Sequence, residues 1–497
     1  MTEHLTTAPP TAAAPAATED TEARDRSIIT VLLIATFVVI LNETIMNVAL
    51  PRLSEEFNVA ASVVQWLATA FMLTMAVVIP ATGFLMQRLT TRTVFFAAMG
   101  IFGLGTLLAG LAPNFEILLL ACIAQAIGTA IMTPLLFTTV LTLVPASRRG
   151  AVMGTITIMI AVAPALGPTV GGAILQYLSW RYLFFFVLPI VLAVTAYGAR
   201  TLVNYSEPQR VSLDLPSFPL AALGFGGLVY SLSSLGESHA GLGAPLVSGS
   251  LLVSLVSLGL FVWRQIFLQR HGTPLLDFRV LRYPIYTLGL TVLALLALVL
   301  FGSGILLPMY VQQVRGLDPL QTGLLMLPGG LLMGLLSPAI GRMSDRSGPK
   351  ALATAGGIML TLALWGLSRI TAETGVPHIL SLHVVMSLAM AMIFTPVFSA
   401  TSSPLPSRFY GHGSALISTL QQVAGAAGTA LLVTVMTSRA AQAATEMAPP
   451  LAQAEGIRAA FLVAAGVSLL VTLLAPFLRN GTPPGGEAEG ERIAMGH

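Results

Sequence analysis

Long apolar runs dominate the chain, and short stretches rich in Gly, Pro and charged side chains separate them. Most runs have about 20 residues, the length that spans the hydrocarbon core of a bilayer as an α-helix. Short segments with alternating apolar and polar positions, typical of membrane β-barrels, are absent from the sequence. The pattern therefore predicts an all-α integral membrane protein with fourteen transmembrane helices. The predicted spans lie near residues 27–48, 64–86, 93–112, 115–140, 151–175, 181–203, 217–237, 245–267, 285–311, 320–341, 350–371, 378–400, 412–437 and 456–478.

The composition supports this prediction, because 55% of the residues are hydrophobic and only 9% are charged. A soluble protein has about 25% charged residues, so the charged side chains here are too few to cover a surface in water. The formal net charge is +3 and the basic residues are scattered through loops, which argues against a nucleic-acid partner. Cys122 is the single cysteine, so no intrachain disulfide can form.

Lys and Arg residues are distributed unevenly between the two sides of the predicted membrane. With the N-terminus in the cytoplasm, eighteen of the 24 basic residues lie on the cytoplasmic side. Short cytoplasmic loops carry such an excess of Lys and Arg. The even number of spans then places both termini in the cytoplasm.

Two similar stretches of sequence indicate an internal repeat that divides the chain into two halves. The stretch GFLMQRLTTR at 83–92 closes the second span, and GRMSDRSGPK at 341–350 closes the tenth. Repeated halves related by an axis along the membrane normal are typical of transporters, so we predict two six-helix bundles with two additional helices between them. The predicted parts are a disordered cytoplasmic tail at 1–26, an N-terminal bundle at 27–204, additional helices at 205–269, a cytoplasmic linker at 270–284, a C-terminal bundle at 285–478 and a disordered cytoplasmic tail at 479–497. The linker is either an amphipathic strap or a solvated loop.

The span at 151–175 contains many residues that notch or break a helix. Glycines leave notches where another helix approaches closely, and prolines remove a backbone donor and bend a helix. These residues are Gly154, Pro164, Gly167, Pro168, Gly171 and Gly172. The pattern indicates a packing seam between moving parts, although a tightly packed helix without a special role would have a similar sequence.

Several stretches of the chain match known sequence signatures. GRMSDRSGPK fits the loop signature G-x-x-x-D-R-x-G-x-K, and GPTVGG at 167–172 fits the fifth-helix antiporter signature. LNETIMNVALP at 41–51, SWRYLFFFVLP at 179–189 and LGFGGLVYSLSSLGE at 223–237 are further matches. Together these stretches resemble the major facilitator superfamily, in particular its 14-helix drug:proton antiporters of the lincomycin-resistance type. The resemblance implies the major facilitator fold and transport by alternating access.

The chain departs from the signatures of that superfamily at three places. The first-helix acid falls on Glu43, one place after its usual position at Asn42. The loop of the N-terminal half has Gln87 where the signature has Asp. The fourth-helix signature R-x-x-Q-G has Cys122 in the Arg position and retains Gln125. The missing Arg leaves open which residue relays the proton in this chain.

Glu43 is the acidic residue that lies well inside a predicted span. A charge there costs roughly 2.5–3.5 kcal/mol on insertion scales, so such a residue usually faces a cavity and has a function. A proton carrier must be ionised at one stage of the cycle and neutral at another, and burial favours the neutral form of a carboxyl group. We therefore expect Glu43 to couple protons to transport. Pairing with a cationic substrate and capping of the cavity near headgroup water are the alternatives.

Other polar and bulky residues at membrane depth are candidates for a substrate cavity. Bulky apolar walls with a few polar groups suit lipophilic drugs. The candidates are Phe37, Asn42, Asn47, Trp66, Met72, Gln125, Tyr310, Gln312, Gln313, Gln421 and Gln422. For each glutamine taken singly, a hydrogen bond between helices is the alternative.

The stretch at 341–350 predicts a latch in a cytoplasmic loop. Its residues are Gly341, Asp345, Arg346, Gly348 and Lys350. The carboxylate of Asp345 can accept hydrogen bonds from backbone N–H groups at a helix start and pair with arginine, which would stabilise one conformer. A solvated turn is the alternative.

The sequence contains no Walker loop, no Ser/His/Asp constellation and no metal-ligand spacing around His378 and His383. We therefore expect no enzyme activity, no cofactor and no metal. Together with these patterns, the resemblance implies a proton-coupled multidrug efflux antiporter, conferring antibiotic resistance, in the bacterial cytoplasmic (inner) membrane. The expected partners are small drug-like molecules, protons and membrane lipids, and the expected state is a monomer. A same-fold exporter of an endogenous metabolite, lipid or amino acid is the alternative.

Overall fold

A computed structural model describes residues 19–59, 61–145, 148–204, 214, 216–237, 245–271 and 274–479. Within these ranges the chain forms helices and short turns, without a strand. The α-helices are α1 (Glu19–Glu56), α2 (Ala61–Val64), α3 (Trp66–Arg88), α4 (Thr91–Leu111), α5 (Phe115–Leu143), α6 (Arg149–Tyr177), α7 (Arg181–Thr201), α8 (Ser217–Ala221), α9 (Gly227–Glu237), α10 (Pro245–His271), α11 (Pro284–Met309), α12 (Pro319–Ser347), α13 (Pro349–Leu367), α14 (Val376–Ser402), α15 (Tyr410–Ala443) and α16 (Pro449–Leu474). Short 3₁₀ turns are Phe278–Arg282, Ser407–Phe409 and Ala475–Phe477, and π turns are Ala222–Gly226 and Tyr310–Val314.

Thirteen of the described helices are long and apolar enough to cross a membrane, and Ser217–Leu232 is a shorter apolar helix. That shorter segment is the predicted seventh span. It runs from α8 through the π turn Ala222–Gly226 into α9. The all-α membrane class predicted from the apolar runs is confirmed.

Two of the helix ends that differ from the prediction change the interpretation of the chain. α1 begins at Glu19, so residues 19–26, predicted to be disordered, are helical. Acidic side chains in the first turns favour a helix start there. α12 continues to Ser347, so Asp345 lies on the last turns of a helix and not in a loop. The turn itself is Gly348, whose φ of +80° favours glycine.

Short connections make successive helices antiparallel, so their ends fall at two ends of the molecule. We call the end that contains Arg88, Arg149, Ser347 and Tyr410 the latch end, and the opposite end the far end. Residues 1–18 and 480–497 of the predicted tails lie outside the described residues.

The packing of the first six long helices is repeated by the last six. α1 packs on α5, α6 and α7, and α11 packs in the same way on α14, α15 and α16. α5 packs on α3 and α4, and α14 packs on α12 and α13. We call α1 and α3–α7 the N bundle, and α11–α16 the C bundle. This repetition places α3 in correspondence with α12, and α6 in correspondence with α15.

The additional helices α8–α10 cover the side of the molecule where the two bundles meet. α9 packs on both α3 and α15, and α10 packs on α8 and α9. The connection from α10 to α11 is packed inward, since Leu275, Leu276 and Val280 are buried. The described part of this linker is therefore not a solvated loop.

Candidate functional site

α6 is a helix through which the N bundle contacts the C bundle. Its latch half lies against α12, where a methyl group on Gly154 would overlap the backbone of Ser337. Its far half lies against α1, where a methyl group on Gly167 would overlap Thr44. The hydroxyl of Thr44 also donates a hydrogen bond to the carbonyl oxygen of Ala163, 3.3 Å away. α6 therefore joins the two bundles through one half and its own bundle through the other.

The other predicted breakers of α6 have different surroundings. Pro164 is exposed and does not end the helix, which continues to Tyr177. Gly171 lies at ordinary contact distance from Ile45. Gly172 has open space in place of a side chain, so its prediction as a notch is corrected. The side chain of Pro168 lies outside the described residues.

Asp345 joins α12 to the start of α6, and we call this contact between the bundles the first seam. Its Oδ1 accepts a hydrogen bond from the N–H of Gly150 at 3.0 Å, and its Oδ2 accepts from the N–H of Ala151 at 3.1 Å. Both donors belong to the first turn of α6. The N–H groups of a first turn have no acceptor within their own helix, and this end of a helix favours a negative charge. Gly341 lies so close to Gly150 that a side chain at either position would overlap the other helix.

The remaining residues of the predicted latch do not cross the seam. Arg346 and Lys350 are exposed, and within the described ranges neither pairs with Asp345. Gly348 forms the turn between α12 and α13. The expected pairing of Asp345 with arginine is therefore absent from the part of the chain that the structure describes, and the helix start is its partner.

Gln87 and His412 join α3 to α15, and we call this contact the second seam. The side-chain nitrogen of Gln87 lies 2.7 Å from Nε2 of His412. The imidazole is 3% exposed and packs over Gly83, where an added methyl carbon would lie 3.1 Å from Nδ1. In the repeat Gln87 corresponds to Asp345. The second seam therefore pairs an amide with an imidazole, whereas the first seam pairs a carboxylate with the N–H groups of a helix start.

Further hydrogen bonds join the bundles in the same half of the molecule. They are Thr138–Ser414 at 2.7 Å, Thr157–Thr395 at 3.0 Å and Arg149–Tyr410 at 3.0 Å. Like the two seams, these three bonds lie in the latch half of the helices that they connect. The structure is therefore closed at the latch end.

Glu43 lies in the far half of α1. At a rise of about 1.5 Å per residue, it is about 10 Å from Leu50, where the apolar span ends. Its side chain is half-buried and makes no hydrogen bond or ion pair with any residue that the structure describes. Asn47, one turn further along the same face, is exposed. Glu43 therefore occupies the least buried face of α1.

The depth of Glu43 matches the level at which α6 passes from α12 to α1. Its neighbour Thr44 contacts α6 at Ala163. One residue earlier on α6, Val162 still contacts α12 at Gly334. The carboxyl group of Glu43 thus lies at the level where α6 stops contacting the C bundle and begins to contact α1 of its own bundle.

Cys122 and Gln125, from the fourth-helix signature, are fully buried. The Sγ of Cys122 lies 3.3 Å from the Sδ of Met46, one turn from Glu43. The position that carries Arg in the signature therefore faces α1 near the carboxyl group, where a thiol supplies no positive charge. Gln125 donates a hydrogen bond to Thr106 at 3.0 Å, between α5 and α4. Its place in the predicted cavity is corrected, because it links two helices of one bundle.

Three other predicted cavity residues also lie elsewhere. The Tyr310 hydroxyl donates to the carbonyl of Thr371 at 2.5 Å, at the far end of the C bundle. Gln313 is exposed and accepts a hydrogen bond from Gln453 at 3.0 Å. The third, Trp66, contacts an additional helix.

Trp66 begins α3 and is 43% exposed. Its ring stacks on Tyr230 of α9, with centroids 5.9 Å apart. Trp66 therefore fixes an additional helix to the N bundle. Gln312 is exposed at the far end, and Met72 is half-buried within α3.

The cavity candidates that stay compatible with the structure lie on α1 and α15. Phe37 is half-buried on α1, and Asn42 is 2% exposed with an amide nitrogen that has no partner in the described chain. Gln421 and Gln422 are half-buried near the middle of α15.

Sequence reasoning did not assign His412 or Tyr410 a role. A signal was present in the repeat, because aligning GFLMQ with GRMSD makes Gln87 the counterpart of Asp345. The repeated packing makes α15 the counterpart of α6, and it pairs the start of α15, YGHGS, with RGAVM at the start of α6. The residues that meet Gln87 could have been found from this second correspondence.

The two histidines singled out from the sequence occupy different environments. His378 is exposed at the far end. His383 is 6% exposed, and its Nε2 lies 3.2 Å from the carbonyl of Met326. Across the described ranges, no group of three His, Cys, Asp or Glu side chains could hold a metal ion.

Known proteins resemble the chain over most of its length. A sequence model of the Major Facilitator Superfamily matches residues 32–429. The uncharacterised MFS-type transporter YcnB of Bacillus subtilis is 40% identical over 461 residues, covering 93% of this chain and 96% of that protein. The lincomycin resistance protein LmrB of Listeria monocytogenes is 38% identical over 422 residues, covering 85% and 88% respectively.

A solved structure shares the arrangement of the helices. The human organic anion transporter MFSD10 (TETRAN) gives a TM-score of 0.67 and covers 91% of this chain and 99% of its own. Its sequence identity is 16%, so the likeness shows the fold alone. With the family match over most of the chain and two closely similar relatives, the chain belongs to the major facilitator superfamily and is a multi-pass membrane transporter.

Proposed function

We propose that the chain is a proton-coupled exporter of lipophilic or amphipathic drug-like molecules in the bacterial inner membrane. The observation that carries the substrate class is the similarity to lincomycin resistance proteins over most of both chains. The two bundles alternate between a form closed at the latch end and a form closed at the far end, as repeated transporter halves do.

The orientation of this cycle follows from charge. The basic side chains concentrate at the latch end, which carries among others Arg88, Arg149, Arg342 and Lys350. Such an excess is typical of cytoplasmic loops, so the latch end faces the cytoplasm in this proposal. The structure then corresponds to the stage in which the cytoplasmic end is closed and the site communicates with the outside.

Glu43 is the proposed site of coupling. An ionised carboxylate at this depth has no cationic partner among the described residues, so its charge is costly until a proton or a cation compensates it. A proton that arrives from the far end has about 10 Å of α1 to pass. Proton entry is favoured by about 2.3 kcal/mol per 100 mV and about 1.4 kcal/mol per pH unit.

The substrate surface that fits this site lies between α1 and α15. Phe37 and Asn47 line the least buried face of α1 with Glu43, and Gln421 and Gln422 offer amides on α15. An apolar surface with a few polar groups binds lipophilic molecules without requiring one fixed structure.

The test is a susceptibility panel in a host that lacks its own drug pumps. The chain should raise resistance to lincomycin or to other lipophilic antibiotics, and a protonophore should remove the effect. The Glu43→Gln variant at equal abundance in the membrane serves as the matched control and should give no resistance. Unchanged susceptibility to every compound, together with altered export of a cell metabolite, would contradict drug export and favour an endogenous substrate.

A further inference from the structure

The additional helices are joined at the latch end by buried and partly buried polar contacts. Arg264 of α10 binds Asp214 through two hydrogen bonds of 2.8 and 2.5 Å, just before α8 begins. The hydrogen bonds from Arg264 lower the pKa of the Asp214 carboxyl, so the pair stays ionised near neutral pH. Gln265, the next residue, donates from Nε2 to the hydroxyl of Ser217 at 2.6 Å.

Gln265 also holds the linker that leads to the C bundle. Its side chain is 0% exposed, and its Oε1 accepts hydrogen bonds from the N–H groups of Leu275 at 2.7 Å and Leu276 at 3.2 Å. This stretch has no helix or strand of its own, so the side chain supplies the partners that its buried backbone needs. Removing the amide would leave two buried donors without an acceptor.

The linker and the start of α11 in turn contact residues on both sides of His412. The guanidinium of Arg279 lies over the ring of Phe409, with 5.6 Å to the centroid. The hydroxyl of Tyr286, at the start of α11, donates to the carbonyl of Gly413 at 2.9 Å. These contacts hold Phe409, three residues before His412, and Gly413, the residue directly after it.

The two seams need different amounts of such support. At the first seam a carboxylate accepts two hydrogen bonds from a helix start, and charge-assisted hydrogen bonds are roughly twice as strong as neutral ones. At the second seam one hydrogen bond joins Gln87 to His412, and the amide of Gln87 carries no charge. A neutral bond of about half the strength gains most from neighbours that hold its partners in position.

We propose that the two additional helices are part of the gate, and that Gln265 is a positioning residue which holds His412 against Gln87 through the linker at 275–276. Loss of the Gln265 contacts loosens the second seam and opens the latch end more often. The inference rests on the proposed alternating access of the two bundles, and it gives the additional helices a role in that cycle.

The test uses cysteine reporters buried between the bundles, in a Cys122→Ser background. Ser414→Cys reports on the second seam and Thr395→Cys on the first, since these side chains are 1% and 0% exposed and each bonds across the bundles. The measurement is the rate of alkylation by N-ethylmaleimide in native membranes. Gln265→Met, which keeps the size of the side chain, should raise the rate at the Ser414→Cys reporter by about tenfold.

Gln269→Met is the matched control, because Gln269 lies one turn away on α10 and its amide nitrogen has no partner within the described ranges. It should leave both reporter rates unchanged. Gln265→Glu keeps an oxygen for the two linker N–H groups and should restore the low rate. Gln87→Leu should raise the rate by itself and add little to Gln265→Met, since both act on one contact.

Equal rates for Gln265→Met and Gln269→Met would overturn the proposal, and so would fully additive effects of Gln265→Met and Gln87→Leu. If Gln265→Met does not insert, Ser217→Ala removes one Gln265 contact more mildly and should still raise the rate; no change there would also contradict the proposal. The readout needs neither substrate nor proton gradient. Failure of drug export and failure of the gate role are therefore distinguished.

Discussion

At the scale of single residues, two carboxylates have opposite surroundings. Asp345 accepts hydrogen bonds from two backbone N–H groups of the partner bundle, whereas Glu43 has no partner in the described chain. A carboxylate with fixed donors favours one conformer of the protein. A carboxylate without partners is free to bind a proton or a cation, and either one compensates its charge. In the proposed cycle, Asp345 therefore stabilises one conformer and Glu43 responds to the transported species.

The Asp345→Asn variant tests the stabilising role. The amide removes the negative charge at the start of α6, an interaction worth about 0.3–1 kcal/mol and up to about 2 kcal/mol when partly buried. The form closed at the latch end should therefore lose about 2- to 30-fold in relative population. We expect turnover to fall while substrate affinity stays within a few-fold.

The measurement is transport kinetics together with equilibrium substrate binding. Asp318→Asn is the matched control, because Asp318 caps its own helix α12 at the far end and does not cross a seam. It should behave like the wild type. Strongly reduced binding with normal turnover in Asp345→Asn would contradict the latch role.

At the scale of elements, the close packing of α6 requires glycine at some positions of the helix and not at others. A methyl group at Gly167 would overlap Thr44, whereas Gly172 has open space around its Cβ position. Overpacking of a tight contact commonly costs about 1–3 kcal/mol. The same substitution at these two positions of one helix should therefore have different consequences.

We expect Gly167→Leu to insert into the membrane and lose transport, and Gly172→Leu to insert and transport normally. The measurement is the transport rate at equal abundance of folded protein, judged by size-exclusion chromatography in detergent. Normal transport by Gly167→Leu would mean that α6 and α1 do not need close contact during the cycle.

The elements also show what the sequence could and could not predict. Apolar runs predicted the helices, since the length of a span is set by the bilayer. The prolines predicted a bent α6, and the helix continues through both positions from Arg149 to Tyr177. The linker could not be assigned from its charges, because burial of Leu275 and Leu276 depends on Gln265, a distant residue in a helix.

The same limit applies to the candidate site. Glu43 and Asp345 stand out in the sequence because a carboxylate in an apolar span or in a known signature is rare. The glutamines are ambiguous, since an amide serves equally in a cavity or between helices, and only the packing distinguishes them. Gln125 bonds to Thr106 between helices, whereas Gln421 shows no such bond in the described chain.

At the scale of the whole molecule, the account requires the latch end to face the cytoplasm. Reporter fusions at Arg270, at the latch end of α10, should give a cytoplasmic signal. Fusions at Ser238, which lies outside the described residues and follows α9, should give an extracytoplasmic signal. A green fluorescent protein and alkaline phosphatase pair measures both. The same side for both sites would mean that α8–α9 and α10 do not span the membrane as a pair.

The two bundles and their seams place Glu43 at the end of the packed region, where alternating access would expose it in turn to each side. The central claim is that this carboxyl group couples protons to export. Glu43→Gln keeps the size of the side chain but stays neutral, so it can neither release a proton nor attract a cation. By linkage, it should also remove the pH dependence of substrate binding.

The most direct measurement is substrate accumulation in inverted membrane vesicles under an imposed pH gradient, with Glu116→Gln, an exposed carboxyl on α5, as the matched control. The wild type and Glu116→Gln should accumulate substrate uphill. Glu43→Gln should show no uphill accumulation, although downhill exchange can persist because the substrate surface remains. Accumulation by Glu43→Gln at the wild-type level would contradict the account and place proton coupling at another residue.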